Sequence, residues 1–403
     1  MTMHDALRRA AMLVCAGSTL AATAACDLSV TNPGSTRDQD LNTPSAMPAL
    51  VNGMSGDLSY SLGYLAREGS VMTDELRESG TYPAMGRFDQ GIIDDVDAGS
   101  LWDNAQEARW VAENGIDRMK QVLQADFETS PLSARAYLYA GFANRVLGEN
   151  MCDAVIDGGP RQSDSVYFQR ADSEFTEALR LAQAQGVDSL ALTALAGRAQ
   201  VRADLGRWTD ADADAAQVPA DFRFDAIFST NSERENNNLA YETTTRREVS
   251  VWGTQWAATN ADPRVPWDTL FTSAGVVQKG NNGSTPFFRQ KKYPGVDAPI
   301  PLAKGTEMLL IRAEAALRDG AVPAAMGYVN DERAAYGLAA LDVSDADSAW
   351  TVLQSERGAV LWLETRRLWD LRRWYAEGRT TFLEGRDTCI PISQAEQSSN
   401  PNL

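Results

Sequence analysis

The sequence contains a single histidine, His4, which lies close to the start of the chain. Removal of the N-terminal segment described below leaves a mature chain without histidine. Catalysis by a serine–histidine or cysteine–histidine pair is therefore excluded, and so are histidine ligands for a metal ion. Long apolar runs are lacking as well, because no later segment reaches the roughly 20 uncharged residues that a membrane span requires.

Cysteine is scarce, and the few cysteines lie far apart. After Cys26 the chain contains only Cys152 and Cys389. An exported chain lies in an oxidising compartment, where this pair can form one disulfide between the middle of the chain and its C-terminus. The alternative is two buried free thiols, and spacing along the sequence does not decide between them.

The first residues have the composition of an export signal. Arg8 and Arg9 precede an uncharged, alanine-rich run that ends in small residues before Cys26. This order is typical of a secretory signal peptide, here residues 1–25. The small residues before Cys26 resemble a bacterial lipobox, which predicts that Cys26 is acylated and that its acyl chains hold the protein to a membrane. Ordinary cleavage, with Cys26 left as a plain thiol, is the alternative.

The remaining composition is that of an acidic globular chain. The formal net charge is −18, and 44% of the residues are hydrophobic, which is enough for a large core. We expect no nucleic-acid partner, because this charge repels phosphate backbones.

Most of the chain has the pattern of helix. Ser130 and Pro131 suit an N-cap and a first helical position, and Gly148 is expected to end that helix. Residues 357–375 predict another long helix, supported by Glu–Arg pairs three and four residues apart. A third helix is indicated by apolar residues that recur on one face, at Phe168, Ala171, Phe175, Ala178 and Ala182.

A weak internal repeat links several helices through a shared spacing of four and then seven residues. Small residues at such positions let antiparallel helices approach closely, which is the packing of tetratricopeptide repeats. The alternative is coincidence in an alanine-rich chain. The three copies are Tyr137, Gly141 and Gly148, then Leu195, Ala199 and Gly206, then Leu309, Ala313 and Gly320.

Two stretches break the helical pattern. Residues 222–301 are rich in asparagine, proline and aromatic side chains, which predicts an irregular insert of about 80 residues. Residues 79–99 form a second irregular stretch. Loops of this length in a packed protein are more often functional than structural.

Five short elements follow one another in a fixed order along the chain. They are Cys26-Asp27-Leu28 leading to Asn32-Pro33; Thr73-Asp74-Glu75; the run from Glu307 to Ala315; the charged segment with Glu356-Arg357, Glu364, Arg367 and residues 369–374; and the ending with Ile390-Pro391-Ile392, Glu396 and residues 400–403. Together they resemble the SusD/RagB family of outer-membrane nutrient-uptake lipoproteins. Val360 and Thr365 stand where that family usually has Glu and Gly, and we interpret both as adjustments of local packing.

The resemblance implies a mainly α fold over residues 26–403, a single domain of about four tetratricopeptide-like helix pairs with the irregular insert at about 222–301. It also implies a binding protein, not an enzyme, that is anchored on the cell surface at the outer membrane. Such proteins cap a SusC-like TonB-dependent transporter and deliver oligosaccharides or peptides to it. The lipid would keep the binding protein beside the channel mouth.

Ligand contacts in the resembled family come from the early loop after Asp-Glu and from the central insert. Sugar rings present apolar C–H faces that stack on exposed aromatic rings. Carried over by region, the resemblance implies five candidate ligand contacts, of which at least one should be exposed, although each tryptophan has a core position as its alternative. They are Tyr82, Phe88, Trp252, Trp256 and Trp267.

Two acidic clusters offer oxygen ligands of the kind that calcium prefers. Neither has the EF-hand pattern, so we interpret both as structural or solvated surface and expect no cofactor, with a structural calcium ion as the alternative. The charges of residues 356–374 are likewise interpreted as structural. The clusters are Asp94, Asp95 and Asp97, and Asp210, Asp212 and Asp214.

Two other functions compete with nutrient binding. An envelope adaptor that binds only proteins would have a concave helical surface without an aromatic pocket formed by loops. A carboxylate-based glycoside hydrolase would have two carboxyl groups roughly 5–9.5 Å apart in a cleft, one of them with a raised pKa.

Overall fold

The computed structural model describes residues 38–258 and 261–403, with the side chain of Gln39 excepted. The predicted signal peptide and Cys26 lie outside the described residues. The chain divides into two units, residues 1–42 and residues 43–403. The described part of the first unit is a short 3-10 turn, Asp38–Leu41. All the helices and strands below belong to the second unit.

The second unit is mainly helical, as the sequence predicts. Its helices in chain order are α1 Met47–Met72, α2 Pro83–Gln90, α3 Gly99–Leu123, α4 Pro131–Asn150, α5 Ser165–Gln185, α6 Asp188–Asp204, α7 Trp208–Ala215, α8 Asn238–Ala240, α9 Gly305–Arg318, α10 Val322–Ala335, α11 Ala346–Val360, α12 Arg367–Ala376 and α13 Gln394–Ser399. A π-helical turn, Tyr241–Arg246, continues α8.

Successive helices pack against one another, from α3 on α4 through α6 on α7, and then α7 on α9 and α9 on α10. The predicted apolar face of α5 is buried. A Cβ on Gly141 of α4 or on Gly197 of α6 would come within 2.7 Å or 2.4 Å of the Phe175 ring of α5. Small residues therefore do let neighbouring helices approach closely, and the prediction of a repeat-like helical fold is confirmed.

The expected role of Gly148 is wrong. Helix α4 continues past it to Asn150. A Cβ at Gly148 would lie 2.7 Å from the Phe168 ring, so this glycine makes room for α5 and does not end its own helix. Gly206 and Gly320 do follow helix ends in the left-handed conformation, with φ values of 73° and 74°.

The single helix predicted over residues 357–375 is two helices, α11 and α12. Leu363 and Thr365 in the intervening turn have φ values of 61° and 65°. The Leu363 N–H donates to the buried carboxylate of Glu75, 2.6 Å away, so a distant residue stabilises the break. Interpreting Thr365 as a packing adjustment is therefore wrong, because this position requires a left-handed backbone, which glycine adopts most readily.

The strands form short antiparallel pairs. They are β1 Arg77–Glu78 with β5 Val249–Ser250, β2 Asp153–Ala154 with β3 Gln162–Ser163, β4 Arg223–Ala226 with β8 Ile300–Lys304, and β6 Trp267–Thr269 with β7 Phe288–Gln290. The β4–β8 pair lies at the two ends of the predicted insert. Residues 227–299 therefore leave the helical framework and return to it at one place.

A buried network of ion pairs fixes the C-terminal helices to the framework. Arg366 donates to Glu307 of α9 at 2.7 Å, and Arg373 binds Glu314 of the same helix. Glu364 accepts from Lys292 at 2.5 Å and from Lys304 at 2.7 Å. Helical pairing three and four residues apart is therefore a minor part of this network, whose carboxylates and cations come mostly from different elements.

A disulfide adds a covalent link to the same region. Cys152, just after α4, is bonded to Cys389 near the C-terminus, and their Cα atoms lie 5.0 Å apart. The Cys152 N–H also donates to the Ile390 carbonyl at 2.9 Å. The C-terminal chain is thus held beside α4 by both kinds of bond.

Candidate functional site

The two irregular stretches predicted from the sequence meet in the structure. Strand β1 pairs with β5 through Arg77 and Ser250 and through Glu78 and Val249. Beyond the strands, the Ser79 N–H donates to the Glu248 carbonyl at 2.9 Å. The early loop and the insert therefore form one continuous surface.

Glu248 organises the junction of these loops. Its side chain is buried, and its carboxylate accepts from the Thr81 N–H at 2.8 Å and from Asn281 Nδ2 at 2.6 Å. A Cβ on Gly80 would lie 1.8 Å from Glu248 Oε2, so the loop comes this close only because residue 80 is glycine. The backbone before Tyr82 is thereby fixed in position.

Tyr82 lies between two guanidinium groups. The Arg246 guanidinium is 5.3 Å and the Arg67 guanidinium 5.8 Å from the centroid of its ring. Glu242 lies near both arginines, 3.4 Å from Arg67 Nη1 and 3.6 Å from Arg246 Nε. Burial raises the pKa of Tyr82, and Glu242 raises it further, so the phenol stays neutral and able to donate a hydrogen bond.

Helix α1 extends this arrangement. Tyr60 and Tyr64, one helical turn apart, have ring centroids 5.0 Å apart. The Arg67 guanidinium also lies 5.1 Å from the Tyr64 ring, so it bridges Tyr64 and Tyr82, and Arg234 lies 4.3 Å from the Tyr60 ring. We call Tyr60, Tyr64 and Tyr82 the tyrosine row. Sequence reasoning missed the two tyrosines of α1, although Tyr60 and Tyr64 are four residues apart and Arg67 follows Tyr64 by three residues, which indicates a shared helix face.

A cavity of about 370 Å³ lies near the Tyr60 end of the row, since Arg234, whose guanidinium lies against the Tyr60 ring, is one of its lining residues. Ser55 and Ser59 of α1 line one side, and Ile227, Arg234 and Glu235 of the insert line the other. Its volume falls in the range of roughly 300–1,000 Å³ that is typical of small-ligand sites. The insert therefore supplies walls for a concave site beside the half-buried rings of the tyrosine row.

The five side chains predicted to contact a ligand differ in how far they are exposed to solvent. Phe88 and Trp256 are buried, 1% and 3% exposed, so the prediction that these two rings contact a ligand does not fit their place in the core. Trp267 stacks on Phe288 with centroids 4.9 Å apart. Trp252 is 42% exposed, and Tyr82 is half-buried in the tyrosine row.

Arginines pair with two of the three carboxylates in each acidic cluster. Arg87 binds Asp97 and lies 3.7 Å from Asp94. On α7, Asp212 pairs with Arg312 at 2.9 Å, and Asp214 accepts from Arg198 and Arg202. Within the described residues, no group of three or more Cys, His, Asp or Glu side chains is arranged to hold a metal ion.

The Thr73-Asp74-Glu75 element connects the early loop to the C-terminal helices. Asp74 accepts from Arg367 Nε at 2.8 Å and from Arg367 Nη2 at 2.6 Å. Burial raises the pKa of Glu75 to about 8, although the Leu363 N–H favours its ionised form. This element therefore supports the loop that carries Tyr82 and does not itself face the site.

Among residues 38–258 and 261–403, no helix has the length and apolar character to cross a bilayer.

Comparison with solved structures identifies the fold. A laminarin-binding SusD-like protein superposes with a TM-score of 0.69 at 14% identity, over 90% of this chain and 100% of that one. A SusD-like protein from Bacteroides fragilis gives 0.66 at 15% identity, over 85% and 88%. A SusD-like carbohydrate-binding protein from Bacteroides vulgatus gives 0.60 at 16%, over 82% and 83%.

Comparison of the sequence alone gives a more limited match. No curated protein matches the chain. The model of the SusD family (SusD_RagB) matches residues 216–402, which include the insert, helix α9 and the charged C-terminal segment. Residues 216–402 therefore match the SusD/RagB family in sequence, and the described length of the chain has the fold of SusD-like proteins.

Proposed function

We propose that this protein captures an oligosaccharide on the tyrosine row and passes it to a SusC-like TonB-dependent transporter in the outer membrane. The observation that carries the proposal is the meeting of two loop regions and α1 around three tyrosine rings, beside a cavity of about 370 Å³. Rings on a rigid helix and on a loop held by buried hydrogen bonds form a preorganised platform.

The chemistry of the row suits a sugar. Phenol rings offer flat faces to the C–H groups of a pyranose, and the tyrosine hydroxyls can donate to or accept from its hydroxyl groups. The side chain of Arg246 is 39% exposed, so part of its guanidinium can donate to a ligand. Asn281 is exposed at the same junction and adds amide donor and acceptor groups.

The comparisons support an oligosaccharide over a peptide. Two of the proteins with this fold are described as laminarin-binding and carbohydrate-binding. An adaptor that binds only proteins is less well supported, because that function predicts no aromatic site formed by loops.

Attachment at the cell surface is the second part of the proposal. Residues 1–25 would act as the export signal, and acylation of Cys26 would anchor residues 26–403, a single SusD-like domain, to the outer membrane. Several acyl chains give durable membrane attachment at about 0.8 kcal/mol for each buried methylene. Anchoring would place the tyrosine row close to the transporter and raise the local ligand concentration there.

Glycoside hydrolysis is less well supported by the carboxyl groups. Glu113 and Glu174 form a close pair, since Asn144 Nδ2 donates to both at 2.8 Å and 2.9 Å. Burial and the neighbouring Glu113 raise the pKa of Glu174 well above its usual value. However, two carboxyl groups bridged by one amide leave no room for a sugar between them, and neither lines the cavity beside the tyrosine row.

Binding measurements test the ligand site. We would screen residues 27–403 on a glycan array and measure the best ligand by calorimetry with wild type, Tyr82→Ala and Tyr64→Ala. Each substitution should weaken binding severalfold to about tenfold, because loss of a stacking ring removes on the order of 0.5–1.5 kcal/mol. Tyr375→Ala, at a 38% exposed tyrosine of α12, is the matched control and should bind normally. Unchanged affinity in both tyrosine-row variants would exclude this site.

Copurification tests the partner and the anchor. The tagged full-length chain should bring a large β-barrel protein with it from detergent-solubilised outer membranes. The Cys26→Ala variant should be released from the membrane fraction. Retention of that variant in the outer membrane would contradict acylation at Cys26, whatever its effect on ligand binding.

A further inference from the structure

A second concave site lies on another part of the helical framework, and the tyrosine row does not include it. A cavity of about 240 Å³ is formed between α3, residues 155–158 and α13. We call it the Trp110 pocket, after the side chain of α3 that forms part of its wall. Trp110 is 52% exposed, which is unusual for an indole in a chain whose other large aromatic side chains are nearly all buried or half-buried.

The polar groups of the Trp110 pocket are mainly carboxylates. Glu107 of α3, Asp157 and Glu396 of α13 line it. Arg109 is the one cation among its lining residues, and its guanidinium is already engaged. Arg109 Nη2 donates to Asp157 at 2.9 Å, and its other nitrogens donate to Gln106 and Glu113 at 3.1 Å and 2.6 Å.

The charge of the pocket is therefore negative. Three carboxylates against one arginine leave a formal excess of two negative charges on the lining residues. Arg109 is buried, and each of its three nitrogens already donates to Gln106, Glu113 or Asp157, so it offers little to an anionic ligand. A half-exposed indole face beside carboxylates is an arrangement that attracts a cation, because the ring quadrupole and the carboxylates act in the same direction.

From this geometry we infer that the Trp110 pocket binds a protonated amine, held against the Trp110 indole by Asp157, Glu107 and Glu396. Its volume is below that of sites that enclose a drug-sized ligand, so it would take one head group and leave the remainder of the ligand outside. A lysine side chain of a short peptide and an unacetylated amino sugar both carry this chemistry. The inference does not depend on glycan binding at the tyrosine row.

The experiment uses residues 27–403 and two matched pairs of probes. Gly-Lys-Gly is compared with Gly-norleucine-Gly, which lacks the ammonium group, and triglucosamine with its N-acetylated form, which is neutral. Binding is followed through the indole N–H signals in proton–nitrogen NMR spectra. The Trp110 signal is identified by its absence in Trp110→Leu.

We expect the amine-bearing probes to move the Trp110 signal and the neutral partners to leave it in place. The amine probe that binds with the higher affinity, Gly-Lys-Gly or triglucosamine, identifies the source of the head group. Added salt should weaken the binding, because the attraction is electrostatic. Asp157→Asn and Glu107→Gln should each weaken it severalfold. Asparagine is the best replacement at residue 157, whose φ of 51° is one that asparagine tolerates.

Two outcomes would overturn the inference. One is an equal response to the neutral and the charged member of each pair, which would make the pocket a general sugar or apolar site. The other is a Trp110 signal that no amine moves. Tyr82→Ala should retain amine binding, so failure of the tyrosine row to bind glycans and failure of this inference would be separate results.

Discussion

The C-terminal ion-pair network and the tyrosine row both contain arginine side chains, but these have different roles in the two regions. In the network, arginines meet carboxylates in the core, and Arg366, Arg357 and Arg145 hold the pKa of Glu307 below its usual value although burial alone would raise it. In the row, arginines lie against tyrosine rings, and the side chain of Arg246 remains 39% exposed. Buried arginine paired with carboxylates stabilises the fold, whereas partly exposed arginine beside aromatic rings can bind a ligand.

The sharpest test of this difference is to remove one charge from each region. Glu307→Ala removes one of the two buried carboxylate partners of Arg366 and of Arg357, which keep Glu149 and Asp370. It should lower the free energy of unfolding by about 3 kcal/mol, the lower end of the cost of breaking a buried ion pair. Arg246→Ala in the tyrosine row should cost less than about 1 kcal/mol, because the pairs that it loses are partly exposed. Urea denaturation of both variants gives the two values. An equal loss of unfolding free energy in the two variants would contradict the different roles assigned to the two regions.

The disulfide lies in the same part of the molecule as the ion-pair network, and its removal should have the next largest effect on the free energy of unfolding. Cys152→Ala with Cys389→Ala should lower the free energy of unfolding by about 2–5 kcal/mol, since the bond closes a long loop of the unfolded chain. The measurement is urea unfolding of residues 27–403 with and without the substitutions, with ligand affinity as the control. Weakened ligand binding in the folded variant would mean that the link also positions the tyrosine row.

A pH series tests the element that connects the two regions. The folded-state pKa of Glu75 is raised from 4.5 to about 8, chiefly by burial. The contribution of protonated Glu75 to the free energy of unfolding is therefore fully present below pH 4.5 and is lost as the pH rises to about 8. Glu75→Gln cannot ionise and still accepts from the Leu363 N–H.

The free energy of unfolding of Glu75→Gln should therefore rise relative to wild type between pH 5 and pH 8. The expected change is on the order of 1.4 kcal/mol for each unit between the two pKa values. Urea denaturation at several pH values measures it. Parallel stability curves for the two proteins would show that Glu75 ionises normally in the folded state.

The smallest predicted effect concerns the turn between α11 and α12. Thr365 has a φ of 65°, and its buried hydroxyl finds no hydrogen-bond partner among the described residues. Thr365→Gly should raise the free energy of unfolding by roughly 1 kcal/mol, because the relief of strain exceeds the entropy cost of glycine. Thr365→Ala keeps a Cβ and should gain less. Thermal unfolding compares them, and destabilisation by glycine would contradict the strain argument.

Local patterns predicted the helical framework correctly where one physical requirement dominated. The apolar face of α5, from Phe168 to Ala182, follows from burial at helical spacing, and Gly141 follows from close approach to Phe175. The sequence pattern does not show that Trp252 is exposed and Trp256 is buried, since both lie in the same irregular insert, which has no periodicity. The sequence pattern predicts the wrong role for Gly148, because a glycine can permit either a turn or a close contact between helices.

Sequence by itself determined the class of this protein, since periodic apolar faces, small residues between helices and five ordered elements are local properties of the chain. Tertiary structure alone decided where α11 ends, because the Glu75 carboxylate holds the Leu363 N–H from nearly three hundred residues away in the sequence. It also decided which aromatic rings face solvent. Exposure depends on what packs over a ring, and for Tyr60, Tyr64 and Tyr82 that is set by loops that meet only in the folded chain.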